Sequence, residues 1–332
     1  MAGCAVILVF QVIFRLYKTG HTRLPVQFVS DSLYMVSIPF SQLPSNLRRQ
    51  AFTPGAHVRI SSPIYNPLTW FQSSHPYTIA SLPHEEQLKL VIRKTQFPIR
   101  LRQIYSVYGP FNSLPNDFMN LAHSGQITRA LLVMGGSGIA FGAPVFRFLK
   151  TRGVHVKLLW AIKDIREISV LAQLGLANDL ANIEIYISPR RVTSLGLRKQ
   201  MSLDFFLHSR APNEDENLDV AIEDEYCAGS ESSPLMSSRQ TSYDSMEQNV
   251  ADLAPNVFNH RLTLNNRLKY WLCGLSLNEN ECSCLDYMMV DIKPHHTSGT
   301  WVISSGANNL VNEAKCWAND NSFQFFQEEF AL

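Results

Sequence analysis

The sequence predicts a two-domain fold of the α+β and α/β classes, in which a small antiparallel β-barrel precedes a doubly wound parallel sheet. The chain has 332 residues, enough for two cores at about 150 residues per domain. Short alternating runs fill residues 24–94, whereas buried-strand and helix patterns alternate from about Gln126 onward. Hydrophobic residues make up 45% and charged residues 17% of the chain, so it is globular rather than disordered or fibrous.

The N-terminus carries an apolar run with the character of a membrane segment. Residues 2–14 are almost wholly apolar and are followed by Arg15, Lys18 and Arg23. About thirteen helical residues reach about 20 Å, which is short of a hydrocarbon core of about 30 Å. A secretory h-region, a buried helix and the cytoplasmic end of a truncated spanning helix all remain open. The basic flank favours the last, so we expect residues 1–23 to attach the chain to the cytoplasmic face of a membrane.

The next segment reads as the strands of a small antiparallel barrel. Five short runs are separated by Pro, Gly, Ser and Asn clusters, which are typical of turns. These predicted strands cover residues 26–30, 33–40, 56–61, 77–81 and 88–94. Several short strands at such spacing indicate a barrel, which we expect over residues 24–117.

Predicted strands and helices alternate over residues 126–332. A buried strand at 130–136 ends in glycines, and a helix closed by Gly153 follows it. Further strands are predicted at 156–162 and 183–188, separated by a helix at 167–180, and a last strand at 301–306 precedes another helix. Alternating strands and helices predict parallel pairing with right-handed crossovers.

An acidic insertion interrupts this second domain. Residues 213–248 hold about ten acidic side chains against Arg239, although the whole chain has a formal net charge of only +1. The segment is rich in Ser and poor in aromatic residues, so we expect a disordered loop at about 205–258. A phosphorylated regulatory segment is the alternative interpretation. The near-zero net charge gives no support to nucleic-acid binding.

The six cysteines do not form a secreted disulfide framework, so a reducing compartment is expected. Cys282 and Cys284 precede His295 and His296, but paired zinc ligands are usually two to four residues apart. We therefore predict ordinary thiols and no metal site.

A glycine-rich turn marks the first strand of the second domain. Gly135, Gly136, Ser137 and Gly138 close that strand and open a helix. Backbone amides and the positive end of a helix receive phosphate at such a position. The other interpretation is a tight turn without a ligand.

Several motifs in a fixed order point to a known family. Residues 75–81 read HPYTIAS, and they are preceded by FTPGAHVRIS at 52–61 and NPLTW at 66–70. YGPF, GGSGIAFGAP, LLWAIK and VISSGANNL follow, beginning at residues 108, 135, 158 and 302. From about Leu24 to its end, omitting the insertion, the chain resembles the ferric reductase and NADPH oxidase superfamily, and within it the yeast probable metalloreductase subgroup.

The resemblance implies FAD on a ferredoxin-reductase-type barrel. Tyr77 matches the aromatic residue that packs on the flavin, and Thr78 matches a hydroxyl donor near its ring. His75 and Pro76 fix the entry of the strand. Arg93 and Lys94 match the basic strand end that meets the FAD phosphates. The glycine- and threonine-containing turn that follows in the family is replaced here by KTQFPIRLRQ, where Arg100 or Arg102 would take over phosphate binding.

The resemblance also implies NADPH on the parallel sheet. The matching phosphate loop consists of Gly135, Gly136, Ser137, Gly138 and Ile139. Trp160 and Lys163 match the strand that borders the adenosine half. Arg190 and Arg191 would meet a 2′-phosphate, or would form a solvated basic turn.

The final motif departs from the family pattern. Where the family places Cys-Gly-Pro near the reactive carbon of the nicotinamide, this chain has Ser305, Gly306 and Ala307. Ser305 is therefore the candidate catalytic residue and Gly306 a candidate cofactor-binding residue. The chain ends in Leu332, whereas relatives often end in an aromatic residue that covers the flavin, so Phe330 becomes a core or lid residue.

The implied function is a flavoprotein that passes electrons from NADPH to FAD and onward to a metal ion, as a ferric or cupric metalloreductase does. A superoxide-generating oxidase, with oxygen as acceptor, and a catalytically impaired regulatory module are the alternatives. The family's haem-bearing transmembrane bundle has no counterpart in this sequence. His21 alone does not supply a haem ligand pair.

Overall fold

The computed structural model describes residues 10, 13, 19–43, 52–62, 74–94, 99, 103–188, 256–273 and 299–328. The chain divides into one unit of Met1–Pro189 with Pro255–Leu332 and a second unit of Arg190–Ala254. The second unit, which holds most of the predicted acidic insertion, falls outside the described residues. So do the sites predicted or considered at residues 66–70, 100, 102, 190–191, 282–284, 295–296 and 330.

The first half of the chain forms seven antiparallel strands in two sheets around one core. One sheet has the order β1-β7-β4-β5 and the other β2-β3-β6, and an isolated bridge between Ile79 and Leu90 joins them. The side chains of Val36, Val58, Leu90 and Val107, from four different strands, are buried in the shared core. This confirms the predicted antiparallel barrel fold. The strands are β1 (Gly20–Arg23), β2 (Val26–Phe28), β3 (Leu33–Pro39), β4 (His57–Ser61), β5 (His75–Thr78), β6 (Gln87–Arg93) and β7 (Ile104–Phe111).

The start of the barrel differs from the predicted boundary. Gly20–Arg23 was assigned to the end of a membrane helix, but it is a strand that pairs antiparallel with β7. Gly20 and Thr22 are buried while His21 and Arg23 are exposed, which is the alternation of a half-buried strand. Arg23, one of the basic residues that suggest a membrane flank, is therefore an outward position of β1. Of residues 1–18 the structure describes Phe10 and Ile13, both helical and exposed. In the described part of the chain, no helix combines the length and the apolar character needed to cross a bilayer.

The second half of the described chain is a six-stranded parallel sheet in the order β11-β10-β9-β8-β12-β13. This confirms the predicted doubly wound sheet. Its strands are β8 (Arg129–Gly135), β9 (His155–Ile162), β10 (Ile183–Ile187), β11 (Val257–Phe258), β12 (Thr300–Ser305) and β13 (Gln324–Gln327). The helices are α1 (Asn116–His123), α2 (Ile139–Thr151), α3 (Ser169–Gln173), α4 (Asn266–Cys273) and α5 (Asn308–Asp320), and short 3₁₀ turns cover Phe40–Gln42, Gly136–Gly138, Ile165–Ile168 and Ala177–Asn182.

Two predicted elements of this sheet need correction. The helix expected at 167–180 is split into a 3₁₀ turn, the short α3 and a second 3₁₀ turn, because Gly175 adopts a φ of +72° just after α3 and ends it. The strand expected to be the last, β12, instead lies between β8 and β13. Both β11 and β13 are short and were missed, and β11 lies inside the predicted end of the insertion.

Side chains of the barrel and the parallel sheet contact each other directly. Arg147 on α2 donates to Glu85 Oε1 in the β5–β6 connection at 2.5 Å. Lys89 on β6 donates to the backbone oxygen of Gln173, at the end of α3, at 2.7 Å. Both contacts hold the β5–β6 region of the barrel to the helices that cover one side of the sheet.

Candidate active site at the junction of barrel and sheet

The order in which strands are added to the parallel sheet reverses between β8 and β12. From β8 the chain adds β9, β10 and β11 on one side, and the later strands β12 and β13 lie on the other. The carboxyl ends of strands at such a switch point leave a crevice, which is where ligands bind in open α/β sheets. Gly135 ends β8 and Ser305 ends β12, so both borders of the crevice carry residues that the sequence singles out.

Backbone packing at this crevice requires glycine at two positions. A Cβ at Gly138 would lie 2.4 Å from the backbone oxygen of Ser305. Gly306 has a φ of +147°, and a Cβ there would lie 2.9 Å from the backbone nitrogen of Gly135. The loop after β8 and the end of β12 therefore touch backbone to backbone. In contrast, a Cβ at Gly136 would meet no atom within 4 Å, so this residue faces open space.

The loop leads directly into α2, a helix of 13 residues. Its N-terminal amides and the glycine turn before it form the arrangement that suits a phosphate group. The backbone of residues 135–138, with the space in front of Gly136, therefore fits a dinucleotide phosphate.

Trp160 and Ile139 lie in the core next to this loop. Both side chains are fully buried, and Trp160 Nε1 donates to the backbone oxygen of Gly136 at 3.0 Å. Their predicted contribution to cofactor binding is therefore indirect, because neither side chain is open to a ligand. Lys163, at the exit of β9, is exposed at the same edge of the sheet.

A buried carboxyl group joins the crevice to the barrel. Glu328 follows β13, and its backbone N–H donates to Ser304 at 3.0 Å, which continues the pairing with β12. Its side chain accepts hydrogen bonds from Thr78 Oγ1 at 2.7 Å and from Ser305 Oγ at 2.6 Å. Thr78 is 5%, Ser305 1% and Glu328 9% exposed. We call these three residues the junction triad.

The electrostatics of the triad favour a protonated carboxyl. Burial raises the pKa of Glu328 to about 8, although the hydrogen bonds from Ser305 and Thr78 lower it in part. No ion pair to Glu328 occurs among the described residues. At neutral pH this group therefore can hold or release a proton. An open cleft of about 730 Å³, bordered also by His57, reaches Glu328 from the side of β13.

The barrel strand that carries Thr78 positions the other predicted flavin residues. In the β4–β5 pair, Thr78 lies opposite His57 and Tyr77 opposite Val58. Tyr77 is half-buried and packs on the barrel core, and burial together with the nearby Tyr105 raises the pKa of Tyr77 to about 12. His75 and Pro76 are also half-buried in this strand. The half-buried ring of Tyr77 thus lies at the end of β5 next to the junction, which fits the ring of a flavin, while the Thr78 hydroxyl is buried and donates to Glu328.

The predicted phosphate end of the barrel lies at the end of β6. Arg93 and Lys94 are exposed there, and neither forms a salt bridge with another described residue. Two cations open to solvent fit an anionic group such as a diphosphate. In the described ranges, no group of three or more His, Cys, Asp or Glu residues suits a metal ion.

Part of the chain matches a family model, and nearly all of it is similar to named yeast proteins. Residues 23–122 match the family model described as an FAD-binding domain. A Debaryomyces hansenii protein named probable metalloreductase AIM14 is 28% identical over 334 residues, which cover 99% of this chain and 57% of that protein. A Yarrowia lipolytica protein of the same name is 38% identical over 151 residues, covering 44% of this chain and 27% of that one. The chain is therefore similar over nearly its whole length to yeast proteins named probable metalloreductase, and residues 23–122 match an FAD-binding domain.

This chain spans just over half the length of relatives that match nearly all of it. Among solved structures, a ferredoxin reductase of carbazole 1,9a-dioxygenase has a TM-score of 0.48 at 10% identity, covering 94% of this chain and 69% of that one.

The structure brings the predicted residues into three places. Thr78 and Ser305 meet at the junction triad, the glycine loop and Gly306 border the crevice, and Arg93 with Lys94 stand apart at the end of β6. Sequence reasoning missed Glu328, the residue that joins the first two places. A signal was available, because the apolar pair Phe325–Phe326 indicates a short strand, and Glu328 follows that strand directly after Gln327.

The close backbone contact at Gly138 gives a first prediction. In Gly138→Ala the new methyl group would overlap the Ser305 oxygen, so the loop or the end of β12 must move. We expect the free energy of unfolding to fall by about 1–3 kcal/mol, measured by urea denaturation. Ser137→Ala, in the same loop, is the control and should change stability by less than about 0.5 kcal/mol. Equal stability of Gly138→Ala and the unmodified chain would contradict this packing.

The raised pKa of Glu328 gives a second prediction. At pH values between 4.5, the ordinary pKa of this group, and about 8, its pKa in the folded chain, Glu328 keeps a proton that the unfolded chain loses. The free energy of unfolding should therefore fall as pH rises through this window, by up to about 1.4 kcal/mol per pH unit from this group. Glu328→Gln has no such proton, so its stability relative to the unmodified chain should increase from about pH 5 to about pH 8.

Glu86, an exposed residue that forms no ion pair with another described residue, supplies the control for that experiment. Over the same pH range, the stability of Glu86→Gln relative to the unmodified chain should change less than that of Glu328→Gln. A constant stability difference between Glu328→Gln and the unmodified chain across this pH range would show that Glu328 is ionised in the folded state, contrary to our account.

Proposed function

We propose that this chain is the reductase part of a metalloreductase, and that it passes electrons from NADPH to FAD and onward to a metal ion. The observation that carries this proposal is the junction triad. Its hydrogen bonds link a barrel strand of an FAD-binding domain to the crevice of a nucleotide-binding sheet. The names of the yeast relatives support a metal ion as acceptor.

FAD would lie on the barrel, with Tyr77 and Thr78 at its ring and Arg93 and Lys94 at its phosphates. Bound there, FAD supplies a ring that accepts a hydride and releases electrons one at a time. The residues of the chain bind and orient it. The hydroxyl of Thr78 already points along a fixed hydrogen bond to Glu328, so the end of β5 is held in place before any ligand arrives.

NADPH would lie in the crevice, with its diphosphate on the backbone of residues 135–138. Trp160 fixes this loop through the Gly136 oxygen, so the backbone amides are oriented in advance. The preference for NADPH over NADH is supported by the family resemblance and by the exposed cation of Lys163. Ser305, at the crevice border, places a hydroxyl where the family usually has a thiol.

Glu328 would serve the reaction through its proton. Its carboxyl group lies out of water between both half-sites, and the cleft beside β13 gives protons a path to solvent. Ser305 and Thr78 donate to opposite oxygens of the carboxyl and keep it in one orientation. The chain thereby excludes water from the junction while keeping one titratable group there. We further propose that the whole protein acts at a membrane, on its cytoplasmic face.

The test of this function is an anaerobic titration of the purified chain with FAD and then with NADPH. The chain should retain FAD with a flavin absorption band, and NADPH should bleach that band faster than NADH does. A ferric chelate added afterwards should restore the band. Absence of flavin binding, or a flavin that NADPH does not bleach, would contradict the proposal. Restoration by oxygen but not by ferric chelate would favour the oxidase alternative.

Substitutions at Thr78 test the site assignment. Thr78→Val keeps the side-chain volume but removes the hydroxyl, and it leaves one buried oxygen of Glu328 without its donor. We expect FAD affinity to fall by about tenfold, as measured by the quenching of flavin fluorescence, because the end of β5 is no longer held by Glu328 and must be ordered on binding, at a cost of about 0.5–1.5 kcal/mol. Thr78→Ser, which keeps the hydroxyl, is the matched control. Equal FAD affinity of both variants would remove Thr78 from the flavin site.

A further inference from the structure

A second buried carboxyl group lies between the barrel and the sheet, away from the junction triad. Glu167 belongs to the 3₁₀ turn that follows β9 and is 1% exposed. Its Oε1 accepts hydrogen bonds from Ser32 Oγ at 2.8 Å and from Ser30 Oγ at 3.2 Å. Its Oε2 is buried and has no hydrogen-bond partner in the described part of the chain. We call residues 30–32, between β2 and β3, the docking turn.

Within the part of the chain that the structure describes, no cation forms an ion pair with Glu167. On its own segment the Arg166 guanidinium points away, since it donates to Asp164 at 2.6 Å and to Asp31 of the docking turn at 3.1 Å. The Asp164 carboxylate adds repulsion. From β6, Lys94 reaches the docking turn through its backbone N–H, which donates to Ser32 at 2.8 Å, while its side chain is exposed.

These surroundings disfavour a negative charge on Glu167. Burial raises the pKa of Glu167, and Asp164 raises it further, while the hydroxyls of Ser32 and Ser30 and the backbone N–H of Lys163 lower it only in part. An ionised carboxyl with one unpartnered buried oxygen is costly, whereas a protonated one loses much less on burial.

The docking turn connects two parts of the proposed site. On the barrel side, Leu33 pairs with Arg93, so the turn adjoins the strand end that carries Arg93 and Lys94. On the sheet side, Glu167 lies just after Lys163, at the edge where the nucleotide would bind. Ser30 Oγ also accepts the backbone N–H groups of Ser32 and Leu33, at 3.2 and 3.1 Å, which makes the turn itself rigid. A shift at Glu167 would therefore move one phosphate-binding part relative to the other.

We propose that Glu167 is a positioning residue which, as a neutral carboxyl group, docks the turn at residues 30–32 on the parallel sheet and so sets the separation of the FAD and NADPH half-sites. The consequence for catalysis rests on the proposed function. The docking itself does not, because it concerns side chains of this chain alone.

The first experiment measures amide hydrogen exchange of the full chain without cofactors, at about pH 5.5 and about pH 9. The backbone N–H groups of Leu33 and Lys94 report on the docking turn, and that of Ile79, which donates to Ala56 at 2.7 Å, reports on the distant β5. Protection factors corrected for intrinsic exchange should fall about tenfold or more for Leu33 and Lys94 at the higher pH. The protection of Ile79 should fall less.

Variants separate a neutral carboxyl from an ionised one. Glu167→Gln is neutral at every pH, so Leu33 and Lys94 should stay protected at both pH values. Glu167→Ala should lose this protection at both, and Ser32→Ala, which removes the shorter hydrogen bond, should show part of that loss. If Glu167→Ala does not fold, amide protection in the unmodified chain, Glu167→Gln and Ser32→Ala still shows whether the neutral carboxyl docks the turn. Protection that does not depend on pH in the unmodified chain, or loss of protection in Glu167→Gln, would overturn the proposal.

A second experiment tests the consequence for the reaction. With FAD bound, Ser32→Ala should slow the bleaching of flavin by NADPH about tenfold or more while FAD retention changes less than twofold, because the half-sites are intact but misplaced. Glu167→Gln should retain the rate of the unmodified chain. An unchanged rate in Ser32→Ala would refute the positioning role, whereas a failure of the unmodified chain to bleach would refute the proposed function and leave the hydrogen-exchange result standing.

Discussion

The structure depends on what a carboxyl group requires when it is removed from water. At the junction, Glu328 obtains one hydroxyl donor from the barrel and one from the sheet, and it forms no ion pair with another described residue. Each half alone would leave one carboxyl oxygen without a partner, which costs about 1–3 kcal/mol. The two halves therefore satisfy this group only together, and the same contact brings the end of β5 to the crevice between β8 and β12.

Sheet topology determines where that contact can occur. Parallel pairing brings the carboxyl ends of all six strands to one edge, and the reversal of strand order beside β8 opens the crevice at the middle of that edge. Gly138 and Gly306 let the loop and the end of β12 touch, so the space left open lies in front of Gly136. A barrel that packs on this edge can place a second ligand next to the first without any further element.

Sequence patterns predicted the elements whose periodicity is strong. Three features were predicted correctly because local composition determines them. They are the alternation in β3 and β6, the apolar runs of β8 and β9, and the glycine turn at 135–138. Glu328 and Glu167 were missed because their roles arise from residues about 250 and 135 positions away along the chain. Charge misled the assignment of β1, since His21 and Arg23 look like a membrane flank until the pairing with β7 shows them as outward positions.

Direct transfer between two ligands held at the junction is the central claim of this account. It is tested by stopped-flow bleaching of the FAD-loaded chain with NADPH that carries deuterium at the transferred position of the nicotinamide ring. Deuterium should slow the bleaching by about twofold or more, because that bond breaks as the flavin is reduced. If the binding of NADPH does not limit the rate, equal bleaching rates with hydrogen and with deuterium at that position would contradict direct transfer.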